Sequence, residues 1–321
     1  MASPSLRSPS SPHWGAEPVG IARTVLGDRP TSELGAVNYH EHLFQVSPVL
    51  AGDELDDERL SSIEAGLLLA SGFSTMVDAT PLGLGRRADA IARISIETGL
   101  HVIASTGAHR EAHYPDGHWI RELDENSLAA LFTADIDSGM DGTEVRAGQI
   151  KTGIGYWSIS LFERRVLAAA ATAHRSTGVP IMVHLEHGSA ALEVVDLLAA
   201  DGVSSDAVVL AHVDRNPDPV LHAELAAAGA YLGYDGFARS KIYPDSVLIE
   251  CAARAIELGA GQRIVIGGDV ARRTRYIAYG GMPGLQYLGD RILPRLEAAL
   301  GGPAIQLITV ANPARLLSLR A

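Results

Sequence analysis

Side chains that can bind metal ions or act as bases stand at the ends of several short apolar runs in this sequence. The residues concerned are His40, His42, Lys151, His184, His212 and Asp269. His184, for example, directly follows Ile181-Met-Val, and His212 follows Val208-Val-Leu-Ala. In a parallel β-barrel the carboxyl ends of all strands meet at one mouth, where catalytic groups lie. The pattern therefore predicts that these six residues gather in one small volume and form the site of a metal-dependent enzyme.

The elements that must position these residues alternate along the chain. Segments with the composition of buried strands fall at 36–41, 74–79, 101–106, 147–153, 180–185, 207–212, 230–235 and 263–269. Helical stretches separate them, and glycines such as Gly99 and Gly178 come just after helical runs, as C-terminal caps do. Eight strands alternating with eight helices over about 250 residues predict a (β/α)8 TIM barrel. An open, doubly wound sheet is the alternative, but no Gly-x-Gly-x-x-Gly turn follows an early strand.

Composition supports one large domain. The 321 residues are 47% hydrophobic, enough for a large buried core. Residues 1–18 are rich in Ser and Pro, which predicts a flexible N-terminal tail ahead of a single domain over 19–321. Within that domain we expect a short N-terminal hairpin with a turn at Gly27-Asp28 and a C-terminal helix over 305–319, beneath the barrel.

Charge and cysteine content exclude several classes of protein. A net charge of −12 argues against binding to nucleic acid or to an anionic membrane surface, because both require basic surface. The single cysteine, Cys251, excludes an internal disulfide and is typical of a buried small apolar side chain. No segment has the length of a membrane-spanning helix, and the first residues lack the apolar stretch of a signal peptide. We therefore expect a cytoplasmic protein that acts on a small molecule.

The ligand types restrict the metal and its chemistry. His40 and His42 are two residues apart on a predicted strand, so both imidazoles point to the same face. Imidazole and carboxylate ligands without cysteine fit zinc, the preferred candidate, and also Mn, Co or Fe. Lys151 is the exception, since an ammonium group would be repelled by cations. A desolvated, neutral lysine can react with carbon dioxide to give an N-carboxylate able to bridge two ions; the alternative is a salt bridge inside the mouth.

These motifs resemble a known family. His40-Glu-His42-Leu-Phe, Gln149-Ile-Lys151-Thr-Gly, the strand-end residues above and the closing Thr309-Val-Ala-Asn-Pro-Ala-Arg315-Leu-Leu are similar to the phosphotriesterase-like branch of the amidohydrolase superfamily. The resemblance spans residues 20–319 and implies a binuclear site. It implies that His40, His42 and Asp269 hold one ion, that His184 and His212 hold the other, and that carboxylated Lys151 and a hydroxide bridge the two. Asp269 would act as general base, and the barrel would be a candidate homodimer.

Departures from the family pattern bear on the substrate. The triesterase members of the branch have a histidine after the strand-seven aspartate, whereas Gly236 follows Asp235 here, and the expected acidic pair after His212 reads Asp214-Arg215. Both changes favour a lactone or a carboxylic ester over an organophosphate triester, which stays as an alternative. The same residues also allow a mononuclear amidohydrolase acting on an amide, or a non-catalytic binding protein with a degenerate site.

The loops after strands seven and eight are rich in basic groups, at a place where barrels often bind phosphate. Lys241, Tyr243, Arg272 and Arg275 are predicted to recognise a phosphate or carboxylate, and the same loops resemble family members that open phosphorylated sugar lactones. Solvated surface charges are the alternative. Trp157, in the loop after Lys151, is predicted to form a wall of the substrate pocket.

Overall fold

The computed structural model describes residues 20–320 and begins with a small antiparallel hairpin. Its strands are β1 (Ile21–Thr24) and β2 (Gly27–Pro30), with Thr24 paired to Gly27. The hairpin was predicted correctly, but its turn is Val25-Leu26 and not Gly27-Asp28. The Val25 amide donates to the Val102 carbonyl (2.9 Å), near the amino end of a barrel strand, so the hairpin lies against the barrel floor as expected.

Eight parallel strands follow and form a nearly closed barrel. They are β3 (Val37–Glu41), β4 (Thr75–Asp78), β5 (His101–Gly107), β6 (Gln149–Ile154), β7 (Ile181–Leu185), β8 (Val208–Ala211), β9 (Tyr231–Tyr234) and β10 (Ile264–Ile266). Each strand pairs with the next one in sequence. Between β10 and β3 the Asp269 amide donates to the His40 carbonyl (3.0 Å), which joins the last strand to the first. The predicted (β/α)8 barrel is confirmed.

The helices surround this barrel. They are α1 (Glu58–Ala70), α2 (Ala88–Thr98), α3 (Glu125–Asp137), α4 (Leu161–Thr177), α5 (Ala191–Ala200), α6 (Pro219–Ala227), α7 (Asp245–Glu257) and α8 (Leu293–Leu300). Local signals fix their ends. Ser160 and Glu163 form a reciprocal capping box at the start of α4, and Gly178 ends it in the left-handed conformation.

Two apolar cores hold the fold together. The inner core fills the barrel, and several strands each contribute a large side chain to it, as expected for a packed barrel interior. Among these side chains are Tyr39, Ile103, Met182 and Tyr231. The outer core lies between the strands and the helices. Both faces of each strand are therefore buried, which explains why the strands read as continuous apolar runs and not as alternating ones.

The C-terminal segment continues as helical turns from α9 (Gly302–Gln306) to α10 (Asn312–Leu316). Leu316 joins the inner core beside Ala22 and Leu34, so this segment closes the barrel from below, as predicted. The predicted tail over 1–18 lies outside the described residues. Among residues 20–320, none of the helices combines the length and the apolar character needed to span a bilayer.

Candidate metal centre

The barrel brings the six strand-end residues together at its carboxyl-end mouth. His40, Lys151 and His184 lie within β3, β6 and β7, while the other three lie one to three residues beyond β3, β8 and β10. All six side chains are buried. Burying polar groups in this way is costly unless they are paired or bind an ion.

Three of these side chains converge on one point. The Nε2 atoms of His40 and His42 each lie 3.7 Å from Asp269 Oδ1. The ligand atoms that the three residues offer all lie within 4.8 Å of one another. Two imidazole nitrogens and a carboxylate oxygen in this arrangement are a suitable partial shell for a divalent ion.

A second pair converges beside the first. His184 Nδ1 lies 2.9 Å from His212 Nε2, and the ring of His212 lies 5.1 Å from that of His40. Lys151 reaches the same region, with its Nζ atom 3.3 Å from His40 Nε2 and 3.0 Å from the Met182 sulfur. The lysine amine therefore lies among the imidazoles, and no carboxylate of residues 20–320 forms the salt bridge that was the second possibility for it.

Each of the four imidazoles is held from behind by an oxygen atom. His42 Nδ1 is 2.7 Å from Thr80 Oγ1, and His184 Nε2 is 2.9 Å from Glu186 Oε2. Asp235 serves the other two, with Oδ2 2.9 Å from His40 Nδ1 and Oδ1 2.6 Å from His212 Nδ1. Metal-ligating histidines characteristically use one ring nitrogen in such a bond, which fixes the ring and leaves the other nitrogen for the ion.

Asp235 is the centre of this supporting network. It is completely buried at the end of β9 and also accepts a hydrogen bond from the Tyr39 hydroxyl. Burial alone would raise the pKa of Asp235, but the adjacent His212 and His40 rings hold it well below its usual range. His40, His212 and Asp235 also lie close enough together to share an ion. We interpret their contacts as hydrogen bonds instead, because both imidazoles face Asp235 with the nitrogen that points away from the other ligands.

Burial gives these groups the protonation states that a metal site requires. It lowers the pKa of His40 to about 4, with a further contribution from Lys151, and that of His212 to about 3, aided by Arg215. Burial also lowers the pKa of Lys151 to about 8, although Asp269 and Asp235 oppose the shift. The imidazoles of His40 and His212 are thus neutral at pH 7, and about a tenth of the lysine is a free amine, far more than in an exposed lysine.

Asp269 divides its carboxylate between two tasks. Oδ1 faces His40 and His42, whereas Oδ2 accepts hydrogen bonds from Arg215 (2.8 Å) and from Arg239. Burial opposes ionisation of Asp269, but Arg239 and the neighbouring imidazoles keep its pKa well below the usual range. The group is therefore a permanent anion with one oxygen free for an ion, and a weak base.

A cavity of about 210 Å³ opens above the centre. Four arginines line it, Arg110, Arg215, Arg239 and Arg272, together with His109, His113, Gln45 and most of the candidate ligands. The volume suits a small molecule, and the number of guanidinium groups suits one that carries negative charge.

The predicted substrate residues are distributed around this cavity. Arg272 lines it while forming an ion pair with Asp53 (3.0 Å). Arg275 is partly buried, and no carboxylate of residues 20–320 forms an ion pair with it; burial and nearby Arg239 lower its pKa to about 10. Both arginines come from the loop after β10, as expected.

The remaining predicted substrate residues lie further out. Tyr243 and Trp157 line a wider groove of about 820 Å³, which shares Glu186 and Arg215 with the central cavity. Trp157 is 63% exposed and so forms part of the outer rim instead of the inner wall. Lys241 is exposed and has no ion-pair partner in the described part of the chain.

Several residues of the site were not anticipated in these roles from sequence. Thr80, Glu186 and Asp235 hold the imidazoles, and Arg215 and Arg239 hold Asp269. Asp235 ends an apolar run and follows the same pattern as the predicted ligands, so a signal for it existed. Thr80 lies two residues beyond a strand and Glu186 directly after one, and their roles depend on which ring nitrogen faces them.

Comparison with known proteins agrees with this geometry. The model of the phosphotriesterase family matches residues 21–317. The chain belongs to the phosphotriesterase family. It is 32% identical to a phospho-furanose lactonase of Mycoplasmopsis synoviae, over 93% of this chain and 92% of that protein.

Solved structures give the same result. A lactonase from Listeria monocytogenes has a TM-score of 0.89 and 31% identity, covering 94% of this chain and all of that one. The phosphotriesterase homology protein of Escherichia coli, crystallised with phosphate in its active site, has a TM-score of 0.83 and 29% identity over 89% of this chain and 99% of its own. The protein is accordingly a metal-dependent hydrolase that acts on ester or lactone bonds.

Proposed function

We propose that this protein is a lactonase that works with two divalent ions and that its substrate is a small lactone bearing a phosphate or another anionic group. The observation that carries the proposal is the orientation of the four imidazoles. Each is held at one nitrogen by an oxygen atom behind it and directs the other nitrogen inward. Four histidines so arranged beside a buried carboxylate and a buried lysine fit a binuclear centre.

The ligands divide between the two ions by position. His40, His42 and Asp269 would hold one ion, and His184 and His212 the other. Lys151 would join them as an N-carboxylate, since its lowered pKa makes the free amine available to react with carbon dioxide. The ions, zinc first among the candidates, would lower the pKa of a coordinated water and polarise the ester carbonyl.

The chain's own groups complete the chemistry. In lactone hydrolysis a water oxygen bonds to the carbonyl carbon, the ring C–O bond breaks, and one proton moves from the water to the departing alkoxide. Asp269 is the group placed to carry that proton, because Arg215 and Arg239 fix its orientation through Oδ2.

The arginine cluster supports an anionic substituent. Arg215, Arg239 and Arg272 line the cavity with Arg275 nearby, and no carboxylate in the described part of the chain lies within ion-pair distance of Arg275. Guanidinium groups match phosphate and carboxylate oxygens in pairs. The phospho-furanose lactonase among the relatives supports the same substrate class. Lys241 and Tyr243, from the loop after β9, would add contacts to the anionic group.

Triester hydrolysis is the weaker candidate for a structural reason. At Gly236, where triesterase members of the branch have a histidine, a Cβ atom would lie 3.0 Å from Asp214 Oδ2 and 3.2 Å from Leu248 Cδ1. The Gly236 amide also donates to Asp214 (2.7 Å). The position leaves little room for a larger side chain, so the proton relay of those members has no counterpart here.

We also propose that residues 19–321 act as one domain.

The test combines metal analysis with a substrate panel. Protein purified with zinc is expected to contain about two ions per chain and to hydrolyse lactones, with kcat/KM at least tenfold higher for phosphorylated sugar lactones than for the same lactones without phosphate. The variant His184→Asn should retain one ion and lose most activity. Full activity with one ion would favour a mononuclear hydrolase. Fully loaded protein inert towards every ester and lactone would favour a binding protein.

A further inference from the structure

The cavity contains three polar side chains that neither the metal centre nor the arginine cluster uses. They are His109, His113 and Gln45, which are only 6%, 6% and 5% exposed and all line the cavity. They come from two loops, after β3 and after β5. The two imidazole rings stack with their centroids 3.9 Å apart, and the ring of His109 lies 4.6 Å from that of His184. The group is therefore adjacent to the candidate metal centre.

A backbone hydrogen bond fixes the protonated nitrogen of His109. The Arg110 amide donates to His109 Nδ1 (2.8 Å), so this nitrogen is the acceptor. In a neutral imidazole the proton must then be on Nε2. No other residue of the described chain bonds this Nε2 atom. It is consequently a hydrogen-bond donor available to a ligand.

His113 is held at the corresponding ring nitrogen by a hydroxyl group. Its Nδ1 atom lies 2.8 Å from the hydroxyl oxygen of Ser47, which also accepts a hydrogen bond from the Val49 amide at the start of a short helical turn. The Ser47 proton is then free to be donated to His113 Nδ1. Donation by Ser47 would place the imidazole proton on Nε2, an atom that has no partner elsewhere in residues 20–320.

Gln45 adds an acceptor to these two donors. Its backbone is fixed by reciprocal hydrogen bonds with Leu55 (2.9 and 2.8 Å), which sets the position from which its side chain lines the cavity. Its Oε1 atom is buried, and no described residue bonds it. Buried acceptors are rarely left without a partner, and a native exception calls for an explanation such as a ligand that binds there.

We propose that His109, His113 and Gln45 form a subsite that binds a hydroxyl group of the substrate. A hydroxyl group both accepts and donates hydrogen bonds, so it can satisfy imidazole N–H donors and the amide oxygen together. An apolar ring substituent would leave all three unsatisfied. The subsite would select a lactone that carries a hydroxyl group at this position over its deoxy analogue, and this extension rests on the proposed lactonase function.

A further metal ion does not fit these residues. Both Nδ1 atoms are engaged in hydrogen bonds, and the Arg110 amide places the proton of His109 on Nε2, whereas a ligand nitrogen needs a free lone pair. Within residues 20–320 neither histidine belongs to a group of three close metal-ligating side chains. The subsite is therefore one of hydrogen bonds.

The kinetic test compares a hydroxylated lactone with its deoxy analogue of the same ring size. His113→Phe removes the donor and keeps a planar ring, and Gln45→Leu removes the acceptor at similar volume. Each should lower kcat/KM for the hydroxylated lactone by about 10- to 100-fold, the range expected for one lost hydrogen bond, and change that for the deoxy analogue less than about twofold. His113→Gln, which retains an N–H at a similar reach, should recover part of the loss. His101→Phe, at the opposite end of β5, is the matched control and should change neither.

A binding measurement separates the subsite from catalysis. Calorimetry with a 1,4-anhydro sugar alcohol, a ring ether that cannot be hydrolysed, should show at least tenfold tighter binding to the zinc-loaded protein than its deoxy analogue shows. His113→Phe should abolish that difference. Equal affinity for the two ethers, or an equal loss of activity on both lactones, would overturn the subsite. If the ethers are distinguished but no lactone is hydrolysed, the lactonase proposal fails and the hydroxyl-binding subsite stands.

Discussion

Replacing Asp235 by asparagine should weaken one of the two proposed ion positions through a histidine tautomer. The carboxylate uses one oxygen for His40 Nδ1 (2.9 Å) and the other for His212 Nδ1 (2.6 Å). Asparagine has one oxygen and one NH2 group, so it can accept from only one ring. The other ring would face a donor, and its favoured tautomer would place the proton on the inward nitrogen.

The magnitude follows from this loss of one supporting bond. Removing the hydrogen-bond partner behind a ligating histidine typically lowers metal affinity 10- to 100-fold, or about 1.4–2.8 kcal/mol. Because His40 and His212 belong to different proposed ions, one ion should be affected far more than its neighbour. Titration of Asp235→Asn with a chelator should therefore release the two ions in separate steps, one of them shifted by about 10- to 100-fold.

Tyr39→Phe is the matched control for this change. It removes the hydroxyl that donates to Asp235 but leaves both carboxylate oxygens available to the imidazoles. Ion release should then shift much less than in Asp235→Asn. The measurement is metal content by mass spectrometry during dialysis against chelators of graded affinity. If Asp235→Asn retains both ions with unchanged release, the interpretation of Asp235 as the support of the two imidazoles is wrong.

Three further predictions concern the lysine, the anion site and the fold. When zinc is added to metal-free protein, activity should recover faster with bicarbonate present and faster as the pH rises through about 8, because the fraction of Lys151 in the free-amine form increases there. A recovery rate independent of bicarbonate would argue against the N-carboxylate. Arg275→Gln should lower kcat/KM for a phosphorylated lactone about 10- to 100-fold, the worth of a charge-assisted hydrogen bond, with Arg273→Gln in the same loop as an unaffected control. Arg86→Met should destabilise metal-free protein by about 3–5 kcal/mol in urea unfolding, because it leaves the buried Asp135 carboxylate unpaired; Arg254→Gln, in an exposed ion pair, should have no measurable effect.

One physical reason explains why both the barrel and the residues at its mouth could be predicted from the sequence. Parallel strands buried on both faces produce apolar runs, and a polar residue that ends such a run is aimed at the mouth. His184 and His212 could be identified by that rule alone. The hairpin turn was predicted at Gly27-Asp28 because glycine is common in turns. In the structure Gly27 has a positive φ but is the first residue of β2, and the turn is Val25-Leu26.

The supporting contacts could not be predicted in the same way. Whether Asp235 faces His40 depends on how β9 and β3 approach across the barrel, and nothing local in either strand encodes that distance. The position of Trp157 on the outer rim depends on the packing of the loop after β6 against Ser189, whose hydroxyl accepts from the Trp157 amide (3.0 Å). Such contacts are set by tertiary structure.

Backbone strain at the two ends of the site shows why ligand positions are fixed before any ion binds. His212 and Asp269 have φ values of 71° and 42°, a region that residues other than glycine adopt at a cost of about 1–3 kcal/mol each. Hydrogen bonds hold both conformations: the Asp269 amide donates to the His40 carbonyl (3.0 Å), and the His212 carbonyl accepts from the Arg215 amide (3.1 Å). The left-handed residue turns the chain sharply after its strand and directs the side chain back over the mouth. Each proposed ion thus has one ligand with a strained backbone. Folding supplies the free energy that holds this ligand in place, so binding of the ion does not have to supply it.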